Sequence, residues 1–595
     1  MRELKALLPY LRRYRGAIAL GLAAVVVSNA VGNLGLEFVK KGIDALGRPD
    51  ATRTLVARYA AFSVGLALLA AYGRFWMRQI LNGVSRRVEL DLRDDFFARL
   101  LVLDAPFYAA NPTGEIMSRA TNDISAVRMA AGPAYMYLTN TVVFGAMALV
   151  RMSFIDPWMT FVCMLPMVLL PPVSLGFGKL IHDRFEGIQE QLGVLSTMTQ
   201  ENLAGQRIVK AYGQEAAQTA RFRDLARESM RRNVDLARTS GLFYPSLGLL
   251  AGLAMALALW VGGRALLAGR ITTGDLVLFL LYLGMLSWPM IALGWVVNLF
   301  QRGAASMGRV SRILETEPRV KDAPDAAAPA VVRGEIEFRD VRFRHPGTDR
   351  DVLRDVSFHI PAGATAAIVG PTGSGKSTVV SLLARLHDPT EGAVLVDGVD
   401  TRQWPLARLR EAVALVPQDT FLFSDTIAEN LALGFDEPDE ARRMERVRAA
   451  ARVARLDEAV EQFPQGYDTM LGERGINLSG GQKQRAALAR AVARDAPILV
   501  LDDALSAVDT QTEHRILEGL KAVFAGRTSV IVSHRVTAVM HADLILVLDD
   551  GRVVERGTHA ELLRRGGVYA ALQRRQLLTE QVEGDGVLAA ASDPV

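Results

Sequence analysis

Cysteine is almost absent: Cys163, inside an apolar run, is the only one in 595 residues. One thiol excludes a disulfide framework and a cysteine-based metal site within the chain. The run around it reads Cys163 as a small buried hydrophobe. Charge of one sign is scarce too. A net charge of +4 gives no concentrated basic face, so no nucleic-acid partner is expected. No cleavable leader is expected either. After MRELKALLPYLRRYRG the apolar run extends from Ala17 to about Val39. That is too long for a signal core, and no small-residue cleavage site follows it, so it reads as a membrane helix. No extracytoplasmic capture domain is expected.

What is present is a mixture. The length exceeds one ordinary domain. The mean hydropathy is positive (+0.18), yet 22% of residues are charged. A membrane part joined to a soluble part accounts for both. Six runs are long and apolar enough to cross a hydrocarbon layer, at about 17–39, 56–80, 132–152, 157–179, 242–267 and 275–299. An even number puts both termini on one side. Arg2, Lys5, Arg12, Arg13 and Arg15, with the Arg-rich stretches 84–128 and 180–240, place that side in the cytoplasm. Segments 81–110 and 180–240 keep helical periodicity, so the membrane helices are expected to continue into the cytoplasm. They would reverse at Asn111–Glu115 and near Leu203–Gln206, where the turn chemistry lies.

A stretch with Pro318, Pro324 and Pro329 reads as a linker over 318–332, closing a transmembrane domain of residues 1–317. Beyond it, short β-branched runs at 364–369, 413–416, 498–501, 528–532 and 544–548 alternate with helical patterns. They predict an α/β domain with a largely parallel sheet over 333–575. The tail, 576–595, is small and acidic and is expected to lack structure.

The chemistry concentrates in this second part. Gly370-Pro371-Thr372-Gly373-Ser374-Gly375-Lys376-Ser377-Thr378 follows a predicted strand and opens a helix. Such a loop wraps phosphates with backbone N–H groups. Lys376 offers a charge to the β and γ phosphates, and Ser377 a hydroxyl to Mg²⁺. The run ending in Asp502 brings a carboxylate to the Mg²⁺ shell, and Asp503 follows where a carboxylate polarises an attacking water. A second anion cradle, Ser479-Gly480-Gly481-Gln482, opens another helix. One γ-phosphate does not need two cradles, and a second chain resolves the surplus.

With these motifs the chain resembles the bacterial ATP-binding cassette exporters of the multidrug and lipid-flippase type, over its length to about residue 575. The resemblance implies a six-helix transmembrane domain with long cytoplasmic extensions, fused to a P-loop ATP-binding cassette. It implies ATP and Mg²⁺ as cofactors and a multi-pass protein of the inner (cytoplasmic) membrane, in contact with its lipids. Two cassettes would hold each nucleotide between the phosphate loop of one and Ser479–Gln482 of the other. Gln418 matches the glutamine that touches Mg²⁺, with Ser377 and Asp502. Ser506 and Asp509 match the loop across the dimer, His534 the switch histidine, and Gly472–Gly475 the cross-domain loop. Asn111–Asp123 and Glu201–Gly213 resemble the two coupling-helix regions.

Two positions depart from the family. Tyr usually precedes a Pro and stacks on adenine; here His345 precedes Pro346, with a smaller ring to offer. The catalytic Glu after the Asp502 position is Asp503. In the family that change marks one member of a heterodimer with a slow site, and a second half-transporter with the Glu is the expected partner. Asn29, Asn33, Glu37, Asn140, Arg151 and Asn298 lie within spans, where polar groups face a cavity or a partner. With Met136, Tyr137, Trp288, Met290, Trp295 and Phe300 they suit amphipathic cargo: drugs, lipids or peptides. The alternatives are a homodimeric flippase with equal sites and an ATP-gated channel or regulatory subunit.

Overall fold

The computed structural model describes residues 2–48, 52–472, 475 and 477–578. Glu473 and Arg474 of the expected cross-domain loop, and the tail from residue 579, lie outside them. Two compact units emerge: Met1–Val102 with Asn111–Thr316, and Leu103–Ala110 with Glu317–Val595.

The first unit contains six helices long and apolar enough to cross a membrane: α1 (Arg15–Leu46), α2 (Arg53–Val102), α3 (Thr113–Ile155), α4 (Pro157–Ala204), α5 (Glu215–Leu267) and α6 (Thr273–Glu315). At 1.5 Å per residue, the 53 residues of α5 reach about 80 Å, far beyond a hydrocarbon core of about 30 Å. Helix α3 passes through two π turns, at Arg119–Asp123 and Ala130–Ala134. Helix α4 is interrupted after Val168, where Pro166, Pro171 and Pro172 withdraw backbone donors. Two of the helix starts are capped by side chains. Asp156 accepts from the Met159 N–H at the start of α4, and Thr272 and Asp275 form a capping box on α6. Cys163 is fully buried against α5 and α6 in the apolar core of this unit.

Several polar groups in the spans meet a partner on another helix. On α1, Asn29, Asn33 and Glu37 recur every fourth residue and share a face. Asn29 donates to Asn140 Oδ1 of α3 at 3.0 Å, Asn33 contacts Met147 Sδ at 3.7 Å, and Glu37 pairs with Arg151. Lys40 pairs with Asp275 at 2.6 Å. Asn298 is exposed.

The second unit carries two sheets. One has the order β2-β1-β4-β5, from β1 (Ile336–Arg344), β2 (Asp351–Ile360), β4 (Glu391–Val396) and β5 (Val399–Asp400), all antiparallel. The other has the order β10-β9-β3-β8-β7-β6: β3 (Thr365–Val369), β6 (Val413–Val416), β7 (Ile498–Asp502), β8 (Thr528–Val532), β9 (Leu544–Asp549) and β10 (Arg552–Gly557). Its pairs are parallel except β10 with β9. Alternate residues of β7 enter different cores: Ile498 and Val500 one, Leu499 and Leu501 the other. A parallel strand covered on both faces must be apolar throughout, which is why these segments read as unbroken runs.

Three expectations need correction. Segment 103–110 was expected within the first 317 residues, but it belongs to the second unit. The linker is strapped down rather than free. Asp104 accepts the backbone N–H of Arg319 and, at 3.1 Å, of Val320; Asp322 accepts the Leu406 N–H; Arg385 donates to the Lys321 carbonyl. The tail does not begin at residue 576, because residues 568–578 are helical.

Candidate functional site

The site lies at the carboxyl ends of β3, β6, β7 and β8, where an open parallel sheet leaves a crevice. The loop Gly370–Gly375 leaves β3 and enters α7 (Lys376–Leu383). Gly375 caps that helix with φ +102°, and a Cβ there would stand 2.7 Å from Leu353 Cδ2. At Gly370 a Cβ would stand 2.1 Å from the Leu548 carbonyl oxygen. Side chains are excluded at both positions, so the backbone itself forms the cradle.

Lys376 is 6% exposed, and its Nζ donates to the Gly370 and Pro371 carbonyls at 2.9 and 2.8 Å. Burial pulls its ammonium below the usual lysine range, and Asp503 and Asp502 oppose that. Ser377 donates to Asp502 Oδ1 at 3.2 Å. Burial pushes the Asp502 carboxyl up, while the Ser377 hydrogen bond lowers it. Ser374 Oγ is buried without a hydrogen-bond partner among the described residues, a donor left over for a bound anion. The adjacent Ser377 hydroxyl and Asp502 carboxylate form an all-oxygen set, which fits Mg²⁺.

A cavity of about 200 Å³ gathers Thr372, Gly373, Gly375, Lys376, Ser377, Thr378, Gln418, Asp502, Asp503 and His534. A neighbouring one of about 340 Å³ takes in Gly370, Pro371, His534 and Tyr569. A third, of about 680 Å³ around Phe421 and Phe423, contains none of the expected site residues.

Not every expected residue converges there. Ser479, Gly480, Gly481 and Gln482 are absent from that lining. They start α8 (Gly480–Arg494), where Ser479 and Gln482 cap one another at 2.8 and 3.3 Å. His345 is exposed and sets its edge against Phe343 and His387, with centroids at 4.9 and 5.6 Å. Asp509 caps α9 (Thr510–Phe524) by accepting from Thr512 at 2.9 Å.

Sequence reasoning missed three residues. Gln484 donates to Ser506 Oγ at 2.8 Å and accepts from the Ala507 N–H at 2.8 Å, tying α8 to the loop after Asp503. Arg535 donates to the Ser506 and Val508 carbonyls. Gln576 accepts the Val536 N–H at 2.8 Å. Only proximity to the motifs marks the first two, and nothing local marks Gln576.

The comparisons agree with this geometry. Residues 18–290 match the family described as "ABC transporter transmembrane region", and residues 353–506 the one described as "ABC transporter". A Bacillus subtilis protein called a probable multidrug resistance ABC transporter ATP-binding/permease protein, YheI, is 38% identical over 88% of this chain and 89% of its own length. The ATP-dependent lipid A-core flippase of Pseudomonas aeruginosa is 35% identical over 95% of each chain. The solved structure of a bacterial Atm1-family ABC exporter with ATP bound is 33% identical. It superposes with a TM-score of 0.78, covering 95% of this chain and 98% of that one.

Proposed function

This chain belongs to the family of ATP-binding cassette exporters, multi-pass membrane ATPases of the multidrug and lipid type, and from that premise we propose that it exports amphipathic drugs, lipids or peptides as one half of a dimer with unequal ATP sites. The convergence of Lys376, Ser377, Asp502, Asp503 and His534 in one cavity of about 200 Å³ carries the ATP-dependent part. Lys376 exchanges its two loop carbonyls for phosphate oxygens. Ser377, Asp502 and Gln418 hold Mg²⁺, which neutralises phosphate charge when bound. Asp503 orients the attacking water, and His534 contacts the γ-phosphate. Ser479–Gln482 serve the nucleotide of the partner chain, in keeping with their place outside this chain's own cavity. Closure of two cassettes over ATP turns the membrane cavity outward. Both termini lie in the cytoplasm, and the membrane is the inner one.

The unequal-site part rests on Asp503. Its carboxylate is one methylene short of a Glu, a deficit of about 1.5 Å, and a misplacement of about 1 Å costs on the order of 100-fold in rate. A second reading has an observation in its favour. Asp503 sits at φ +48°, a left-handed conformation in which Asp is more at home than Glu. On that reading the Asp suits its backbone, and two equal sites turn over in a homodimer. Asp503→Glu in the full-length chain separates the two. Unequal sites predict a rise in ATP turnover of about 10-fold or more; equal sites predict no gain. ATP-driven uptake of a fluorescent amphipathic dye into inverted vesicles tests export itself.

A further inference from the structure

Asp503 and His534 line the same cavity from different loops. One end of the pair is held by backbone. The Asp503 N–H donates to the Val532 carbonyl at 2.9 Å, where β8 ends. The other end is held by Arg535, the residue after the histidine. Its guanidinium reaches the carbonyls of Ser506 at 3.3 Å and Val508 at 3.4 Å, and it forms an ion pair with Glu513. Glu513 is 3% exposed and lies in the first turn of α9. The Arg535 N–H donates to Ser533 Oγ at 3.0 Å, and the next N–H, of Val536, to Gln576 at 2.8 Å. The segment after Asp503 and the segment around His534 thus form a loop of chain closed at both ends.

We propose that Arg535 is a positioning residue for ATP hydrolysis, a clasp that sets His534 relative to Asp503. It touches no substrate atom. The chemistry suits arginine, whose planar fork reaches a carboxylate and two carbonyls from separate nitrogens, while an ammonium offers its three donors from a single point. The inference rests on the ATPase reading above, and because His534 and Asp503 belong to one cavity it holds for equal or unequal sites.

The test uses the full-length chain purified from membranes without a second half-transporter, so that turnover reports the site built on its own Asp503 and His534. ATP affinity, KM, kcat and the thermal midpoint are measured for Arg535→Lys and for the double variant Arg535→Gln with Glu513→Gln. The lysine keeps a charge opposite Glu513, and the double variant removes the buried pair together, so neither leaves a lone buried charge. The expected result in both is a kcat lowered on the order of 10-fold, with KM and ATP affinity within about twofold of wild type. Wild-type kcat in either folded variant overturns the proposal. So does a kcat that falls only in step with ATP affinity and the thermal midpoint, since that marks a purely structural residue. Absence of turnover in the wild-type protein overturns the ATPase reading and this inference together, whereas active wild type with unaffected variants sinks this inference alone.

Discussion

Apolar side chains lie outside in one unit and inside in the other. In α2 only 6% of the most apolar window is buried within the protein, and Leu68, Leu69 and Phe62 are exposed. In β7 and β8 every residue is buried. Polar groups show the reverse contrast. In the spans they are few and meet in pairs, because hydrocarbon offers them nothing else. In the cassette the buried polar groups Lys376, Ser374 and Asp502 gather at one crevice. The same hydrophobicity therefore carries different information in each unit. In the first it names the solvent, and in the second it names the neighbours.

In the chain purified without a second half-transporter, Lys376→Ala removes the cradle's charge and should lower ATP turnover about 10³-fold. Phosphate release checks it, and near-normal turnover would break the link between buried charge and chemistry in the cassette. In the membrane unit a paired charge within a span should act on stability instead. Glu37→Leu leaves the half-exposed Arg151 in its span without a carboxylate and should cost about 3 kcal/mol. Adding Arg151→Leu should recover most of it, read as thermal unfolding in detergent. A single variant as stable as wild type would remove the pair from the account of how α1 holds α3. Gly274→Ala tests close packing at the start of α6, where a Cβ would stand 2.5 Å from the Lys40 carbonyl oxygen and 2.6 Å from Asp44 Oδ1. A loss of about 2 kcal/mol in the same assay is expected. The smallest effect belongs to Tyr569→Phe. Its hydroxyl bonds His559 Nδ1 at 2.7 Å, and its loss should cost about 1 kcal/mol without changing ATP affinity.

The cassette was legible where its chemistry is local. A phosphate loop announces itself because glycines, lysine and serine must occupy consecutive positions to surround an anion. Asp502 was legible as the polar end of an apolar strand. Arg535, Gln484 and Gln576 were not, because each acts on backbone groups brought near only by the fold: Gln576 meets Val536 from 40 residues away. In the membrane unit the presence of helices was plain from apolar length. Which polar residue meets which was not, since Glu37 and Arg151, like Asn29 and Asn140, come together across two whole helices. Asp104 shows the same limit. Nothing near it foretells that it will hold the backbone of Arg319 and Val320.

Cys163, shielded from solvent at 0% exposure, is the chain's single native thiol. The wild-type protein is therefore a ready background for site-directed spectroscopy. A nitroxide or dye placed through one new surface cysteine would report from that position alone. Opening and closing movements could be timed without first stripping the chain of competing sulfur.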